Sequence, residues 1–348
     1  MNTTNILNQT LRKTADFIAN VQDDSGAIAW FEGGIVDPWD HVEAVMGLTV
    51  AGKHREARAG LDWLQRTQTN SGMWYAAYRG LDVADDQRAE TNFVAYPATG
   101  VWHYYLATQD ANALRTYWPM VEAALDWVLQ LQTEHGEVYW AVDKDKGVSR
   151  DALMTGCSSI FKSLECAARI CQVLGLPADR YLLARKRLGE AIVHKPERFD
   201  RTWESKARYS MDWFYPVLTG AMQGDLARQR LNARWDEFVI PDLGCKCVQE
   251  EPWVTMAETC ELVMACVAAD DHTTAAQLLQ WQYQHQVEDG SWWTGYVYTD
   301  EVYWPDERPT WTAGAILLAA DAVYRHSPAC YIFNDHLPPT ADAVSPTS

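Results

Sequence analysis

Hydrophobic positions along this chain recur at helical spacing in alternating segments of two kinds. One kind is amphipathic and charged on one face: residues 5–21, 54–68, 112–132, 178–194, 225–237 and 272–286. The other is apolar or small nearly all round: residues 40–51, 92–107, 158–174, 214–222, 256–269 and 311–325, the last containing Ala313-Gly314-Ala315-Ile316-Leu317-Leu318. An amphipathic helix covers a core, and a helix apolar on every side is buried inside one. Strict alternation of the two predicts six helical hairpins, with the amphipathic members outside. The expected fold is an all-α (α/α)6 toroid. Residues 1–335 form a single barrel catalytic domain in this reading, and 336–348 a disordered tail.

The turns and loops support that register. Gln-x-x-x-Gly closes several outer helices, at Gln22–Gly26, Gln68–Gly72, Gln132–Gly136 and Gln286–Gly290. Pro38, Pro97, Pro216, Pro252 and Pro309 fall at or near inner-helix starts, where a missing N–H costs no hydrogen bond. Inner-to-outer connections are short, as at Gly52-Lys53, Gly224 and Asp270-Asp271. Outer-to-inner connections often run to about twenty residues, and loops of that length inside a compact domain usually carry function. Up-down alternation places all the long loops on one rim. Trp30, Trp39, Trp74, Trp140, Trp203, Trp213, Trp253, Trp292, Trp293, Trp304 and Trp311 lie on those loops or at the helix starts. That rim is the expected binding face.

Composition narrows the partners. A net charge of −18 argues against nucleic acid, whose phosphates need a basic surface, and against an anionic membrane. No apolar run approaches the ~18 residues of a membrane span. The start MNTTNILNQTLRK has no apolar h-region. The eight cysteines are scattered rather than framed, and together these features predict a cytoplasmic protein. Cys245-Lys246-Cys247 lacks a second half at zinc spacing, and no phosphate-binding glycine loop is present, so neither metal nor cofactor is expected. The seventeen tryptophans and sixteen tyrosines instead suit a carbohydrate partner, since aromatic faces stack on sugars. Oligomeric state is not legible.

Two corresponding inner helices begin with an acidic-x-x-Glu pair: Asp40 with Glu43, and Glu258 with Glu261. Glycoside hydrolysis needs two carboxyls, one protonated to donate to the leaving oxygen and one to activate water or attack the sugar. Glu258 is the expected general acid and Asp40 the expected base. The competing reading of both is helix capping, because Thr255-x-x-Glu258 is a capping box and Asp37-x-x-Asp40 resembles one. Glu43 and Glu261 lie deeper in apolar helices, where an unpaired charge is costly. Asp212 is an alternative catalytic acid, or an N-cap. Expected substrate contacts are Trp39, His41, Glu43, Trp74, Asn92, Tyr96, Asp151, Asp212, Tyr215, Trp253, Glu261, Trp292, Trp304 and Arg308. His41 and His103 are the proton carriers a sugar epimerase would require.

The Gln-x-x-x-Gly turns resemble those of squalene-cyclase and prenyltransferase repeats, but the Asp-x-Asp-Asp acid of class II cyclases is missing: Asp143-Lys144-Asp145-Lys146 ends in lysine. Over residues 1 to about 330, the order of Asp37-Pro38-Trp39-Asp40-His41-Val42-Glu43, Tyr96-Pro97-x-x-x-Gly100 and Pro252-Trp253-Val254-Thr255-x-Ala257-Glu258-Thr259 resembles a bacterial α/α-toroid family often labelled prenyltransferase-like. That family includes the methylmannose polysaccharide hydrolase of mycobacteria. The resemblance implies α-1,4-mannosidic cleavage by two carboxyls, at the positions of Asp40 and Glu258. An isoprenoid cyclase and a non-catalytic carbohydrate-binding toroid are the alternatives.

Overall fold

A computed structural model describes residues 3–337. Helix α1 (Thr3–Val21) is followed by α2 (Pro38–Val50), α3 (His54–Thr67), the short α4 (Thr91–Ala95), α5 (Pro97–Thr108), α6 (Ala111–Leu129), α7 (Met154–Leu174) and α8 (Asp179–His194). Then come α9 (Ser210–Leu218), α10 (Gly224–Ala233), the single-turn α11 (Trp235–Phe238), α12 (Met256–Ala268), α13 (His272–Gln282) and α14 (Thr310–Tyr324). Two expected helices are broken. The 92–107 segment divides at Tyr96 because Pro97 has no N–H to continue the ladder, and 225–237 divides at Arg234.

The apolar helices α2, α5, α7, α9, α12 and α14 pack each on the next, and α14 returns to α2, closing an inner ring. The amphipathic helices lie outside it. The Gln-x-x-x-Gly turns are the staples of that outer layer. Gln22 Nε2 donates to its own turn at Gly26 O and to Glu56 O on α3, both at 3.0 Å. Gln68 does the same to Gly72 O and to Met120 O on α6, and Gln132 to Gly136 O and Ala184 O on α8. Gln286 reaches Thr10 O on α1 at 3.1 Å, so the last outer helix is tied to the first. Each glycine lies against the neighbouring helix. A Cβ on Gly26 would stand 2.2 Å from Ala59 O, and one on Gly290 2.3 Å from Lys13 O, with φ of 85° and 92° at the two positions.

The long-loop rim is not structureless. It carries short antiparallel strands: β1 (Ala77–Arg79), β2 (Asp82–Asp85), β3 (Arg88–Glu90), β4 (Ala141–Asp143), β5 (Gly147–Ser149), β6 (Val239–Ile240), β7 (Gly244–Cys245), β8 (Trp253–Thr255), β9 (Gly295–Val297) and β10 (Val302–Tyr303). These join neighbouring loops. Glu90 pairs with Ala141 across β3 and β4, Thr255 with Gly295 across β8 and β9, and Val36 bridges to Tyr78. Thr310 N donates to Trp30 O at 2.8 Å, which ties the last loop to the first. Strands of two to four residues show no period in sequence, so the collar was invisible there.

The opposite end of the ring is closed. A 3-10 turn at Pro328–Tyr331 packs on α5 and α14. The chain then reaches α7, which stands across the ring from α14. There Leu337 N donates to Glu165 Oε2 (3.1 Å), and Arg185 Nη2 donates to Leu337 O (2.8 Å). Glu165 is fully buried between Lys162 (2.9 Å) and Arg185 (2.7 Å). Burial raises its pKa, but the cations outweigh that and hold it near 2. His336 and Leu337 therefore belong to the folded domain, a correction to the expected tail, whose remainder (338–348) lies outside the described residues.

The inner ring is tightest between α2 and α14. A Cβ on Gly314 would lie 2.8 Å from Glu43 O and 3.2 Å from Ala44 Cα, and a Cβ on Gly47 would lie 2.9 Å from Gly314 Cα. Backbone cannot yield as a flexible side chain can. Gly314→Ala is therefore expected to cost about 1–3 kcal/mol by overpacking. Chemical denaturation checks it, and a midpoint equal to wild type would mean that the two backbones do not meet.

Candidate active site

Helix α2 starts at the long-loop rim with Asp37 as N-cap: its carboxylate accepts from Asp40 N (3.0 Å) and from Trp30 Nε1 (2.6 Å). Helix α12 starts at Thr255, but the Thr255 side chain makes no cap, and its Oγ1 is buried with no partner. The capping box read from the sequence is not formed, which leaves the first-turn position of Glu258 against the helix dipole as its structural explanation. One carboxylate oxygen of Glu258 is itself buried without a hydrogen-bond partner.

The acids converge. The charges of Asp37, Glu43 and Glu261 all act on Asp40, and those of Glu43 and Glu258 both act on Glu261. The first-turn members, Asp40 and Glu258, keep surface at the mouth, whereas Glu43 and Glu261 are 4% and 5% exposed. No ion pair to any of these five acids is present among the described residues. Burial pushes Glu43 up to about 8, assisted by the charge of Glu258. Burial raises Glu261 well above the usual carboxylate range, with Glu43 and Glu258 adding. Asp40 rises likewise, by burial first and then by Asp37, Glu43 and Glu261. Burial raises Asp37 as well, and the charge of Asp37 makes Asp40 harder to ionise.

Aromatic side chains frame the acids. The Trp39 ring stacks on Tyr96 (centroids 4.7 Å apart, planes at 20°) and lies 6.0 Å from Tyr215. Trp39 lies beside Glu43, and Tyr215 O–H donates to Glu261. Above them the rim holds Trp253 against Trp304, with Trp253 Nε1 donating to Trp304 O (2.8 Å). Trp304 is 57% exposed, so this pair forms an open wall.

No established family profile matches the chain. The MMP endo-(1,4)-3-O-methyl-α-D-mannosidase of Mycolicibacterium hassiacum is 48% identical over 322 residues, covering 92% of this chain and 88% of the relative. The chain belongs to that mannosidase family. Solved structures agree on the fold. A glycosidase in complex with glucose superposes with a TM-score of 0.73 at 14% identity, over 93% of this chain and 99% of that one. A D-mannose isomerase superposes at 0.68 with 15% identity, over 93% and 98%. These likenesses show the mostly helical toroid and nothing of its chemistry.

In this member of the mannosidase family, the structure gathers Asp40, Glu43, Glu258, Glu261, Trp39, Tyr96 and Tyr215 into one group. It also adds Asp37, which the sequence marked only as a cap. Asn92 lies near them in the fold on α4, with Oδ1 buried and unpartnered against Gly156. Other expected contacts have different roles. Both nitrogens of His41 are used by backbone, Nδ1 accepting from Ile28 N (3.2 Å) and Nε2 facing Gly60 O (3.0 Å), and burial lowers its pKa to about 4. His103 is buried as well and lowered to about 3. Burial thus disfavours the charged form of both histidines. Trp74 and Trp292 have no exposed surface and donate inside the protein, to Leu64 O and Thr14 Oγ1. Asp151 is fully buried and binds Ala152 N and Thr202 Oγ1, both at 2.8 Å, anchoring the loop before α9. These four are corrected from substrate contacts to structural residues. Asp212, raised to about 6 by burial, answers to Arg230 and Asp200 rather than to the central acids. Arg308 lies over Trp293 (5.3 Å) and pairs with Asp289 on the rim. Among the described residues no helix is long and apolar enough to cross a membrane.

Proposed function

We propose that this protein hydrolyses internal (1,4) links of a 3-O-methyl-α-mannose polysaccharide, with Asp40 and Glu258 as the catalytic carboxyls. The observation that carries the reading is the cation-free convergence of acids from α2 and α12, in a chain nearly half identical to an enzyme named for that cleavage.

Asp40 takes the general-acid role. Burial first, and then Asp37, Glu43 and Glu261, raise its pKa, which favours the protonated carboxyl that can donate to the leaving glycosidic oxygen. Glu258 then acts on the other side of the scissile bond, as base toward water or as nucleophile. This exchanges the two roles expected from sequence, and what supports the exchange is that burial and neighbouring acids raise Asp40. Glu43 and Glu261, the latter held by Tyr215, lie beside Asp40 and raise it further as they ionise. Sugar methyl groups add apolar surface, and the Trp253–Trp304 wall offers matching apolar faces. The test is reducing-end release from 3-O-methylated (1,4)-α-mannan, with unmethylated α-mannan and α-glucan alongside. Oligosaccharides appearing only from the methylated polymer are the expected result. No cleavage of it would overturn the reading.

A further inference from the structure

The outer layer is stapled by glutamines from α1 to α3, α3 to α6, α6 to α8 and α13 to α1. Helix α10 has no such staple to α13. It breaks at Arg234, and the turn that follows, Trp235–Phe238, contains no glutamine. Between the two helices lies a groove of about 580 Å³, within the size range of ligand pockets, roughly 300–1,000 Å³.

Its two walls carry matching stripes. One consists of Arg228, Leu231, Asn232 and Trp235, and the other of Thr274, Gln277, Leu278 and Trp281. Both follow the i, i+3, i+4, i+7 spacing of a single helix face. Both helices start at the short-loop rim, so each stripe ends away from that rim with a tryptophan. Leu231, Leu278 and, from α12 behind them, Cys266 make a buried floor. The two indoles are half-buried. The amides of Asn232 and Gln277 are exposed on opposite walls and, among the described residues, make no hydrogen bond within the protein.

These groups limit what fits. Arg228 is paired with Asp225 (2.6 Å), and Asp270 and Asp271 share the lining, so the groove offers no spare cation to an anionic ligand. None of the exposed large apolar side chains lies in it, so its apolar surface is confined to the floor and the indoles and does not spread outward as a protein interface would. A neutral sugar has an apolar face for an indole and hydroxyls, each both donor and acceptor, for the amides. The groove is also apart from the acids. Cys266 lies eight residues beyond Glu258, about 12 Å along α12, and faces the outer layer.

We propose that the groove between α10 and α13 is a second carbohydrate-binding site, which holds a segment of the protein's own neutral, methylated polysaccharide on the outside of the ring. This rests on the hydrolase reading above. Sugar rings stack on Trp235 and Trp281, hydroxyls meet Asn232 and Gln277, and methyl groups face the floor. A polymer tethered there is presented to the acids at a raised local concentration, whereas a short oligosaccharide cannot occupy both sites at once.

The test compares wild type with Trp281→Ala and with the double variant Asn232→Ala/Gln277→Ala, whose exposed positions spare the core. Substrates are long 3-O-methylated (1,4)-α-mannan and a short oligosaccharide cut from it. Each variant is expected to raise KM for the long polymer by about 5-fold or more with kcat within about 2-fold, and to leave both constants for the oligosaccharide unchanged. Equal polymer KM in wild type and the double variant overturns the inference, whether or not Trp281→Ala folds, and leaves the hydrolase reading in place. A KM that rises alike on both substrates also overturns it, because the effect would then lie at the acids. A wild-type dimer in sedimentation that Trp281→Ala dissolves, with polymer KM unchanged, overturns it in favour of a second copy of the chain. Absence of any cleavage by wild type overturns the hydrolase reading, and this inference with it.

Discussion

Asp40→Asn and Glu258→Gln are each expected to reduce kcat on 3-O-methylated (1,4)-α-mannan by about 10³-fold or more, while the folded protein still binds the polymer. General acid–base groups contribute roughly 10²–10⁴-fold each, and a carboxyl that attacks or activates water leaves little activity when amidated. The two variants should differ in a second way. Asparagine at 40 removes the proton donor, so sugars with activated leaving groups, which need no protonation, should be spared in part. Glutamine at 258 removes the group that acts on the anomeric side, so activated leaving groups should give no relief. Measuring both variants on the polymer and on an aryl glycoside separates the roles. Relief at Glu258→Gln and none at Asp40→Asn would return the proton to Glu258. Full activity in both would mean that other residues carry out the cleavage.

Glu43→Gln is expected to raise stability at pH 8 by about 2–4 kcal/mol, and Tm by roughly 5 °C or more, while lowering activity. The sign follows from proton binding. Burial and the charge of Glu258 lift Glu43 to about 8 in the folded protein, against an unfolded value near 4.5. The native state therefore binds more protons than the unfolded chain between those values, and stability declines as pH rises from about 4.5 to about 8. Glutamine does not titrate, so that decline is removed. The same change takes away negative charge that raises Asp40, so the alkaline limb of the pH–rate profile should move to lower pH. Thermal unfolding at pH 5 and pH 8 reads the first effect, and kcat/KM against pH the second. A variant no more stable than wild type at pH 8 would mean that the central acids are not short of compensation. Gaining stability by losing a functional charge is what a site with unpaired buried acids predicts.

The ring was legible because it follows from periodicity. Six apolar segments alternating with six amphipathic ones leave few other ways to bury themselves, and proline and glycine marked most of the helix ends. The acid pairs were legible from position, since Asp40 and Glu258 fall at the same place in two repeats. Burial direction was not. His41 and Asp151 sit beside site residues in sequence, yet their hydrogen bonds run to backbone inside the protein. Trp74 and Trp292 follow the Gln-x-x-x-Gly turns on the same loops as other rim residues, but fill the space between the rings. A tryptophan's composition says nothing about which way its ring turns. The capping box at Thr255 failed for a related reason: Thr255 is already paired through its backbone as the last residue of β8, and its hydroxyl makes no cap. Asp37 was the reverse case. Its cap is real, and its charge also acts on Asp40.

The strap from α14 to Glu165 gives the molecule a topology as well as a bottom. With that end sealed by residues 328–337, the space inside the inner ring is a cup rather than a tunnel. A polymer longer than the cup is deep cannot be threaded through it. Both of its ends must lie over the same rim, and both fragments must leave by the way they came. Each cut is then a separate docking event. The sizes of early products should accordingly be set by where the chain drapes over the tryptophan wall, with no memory of the cut before.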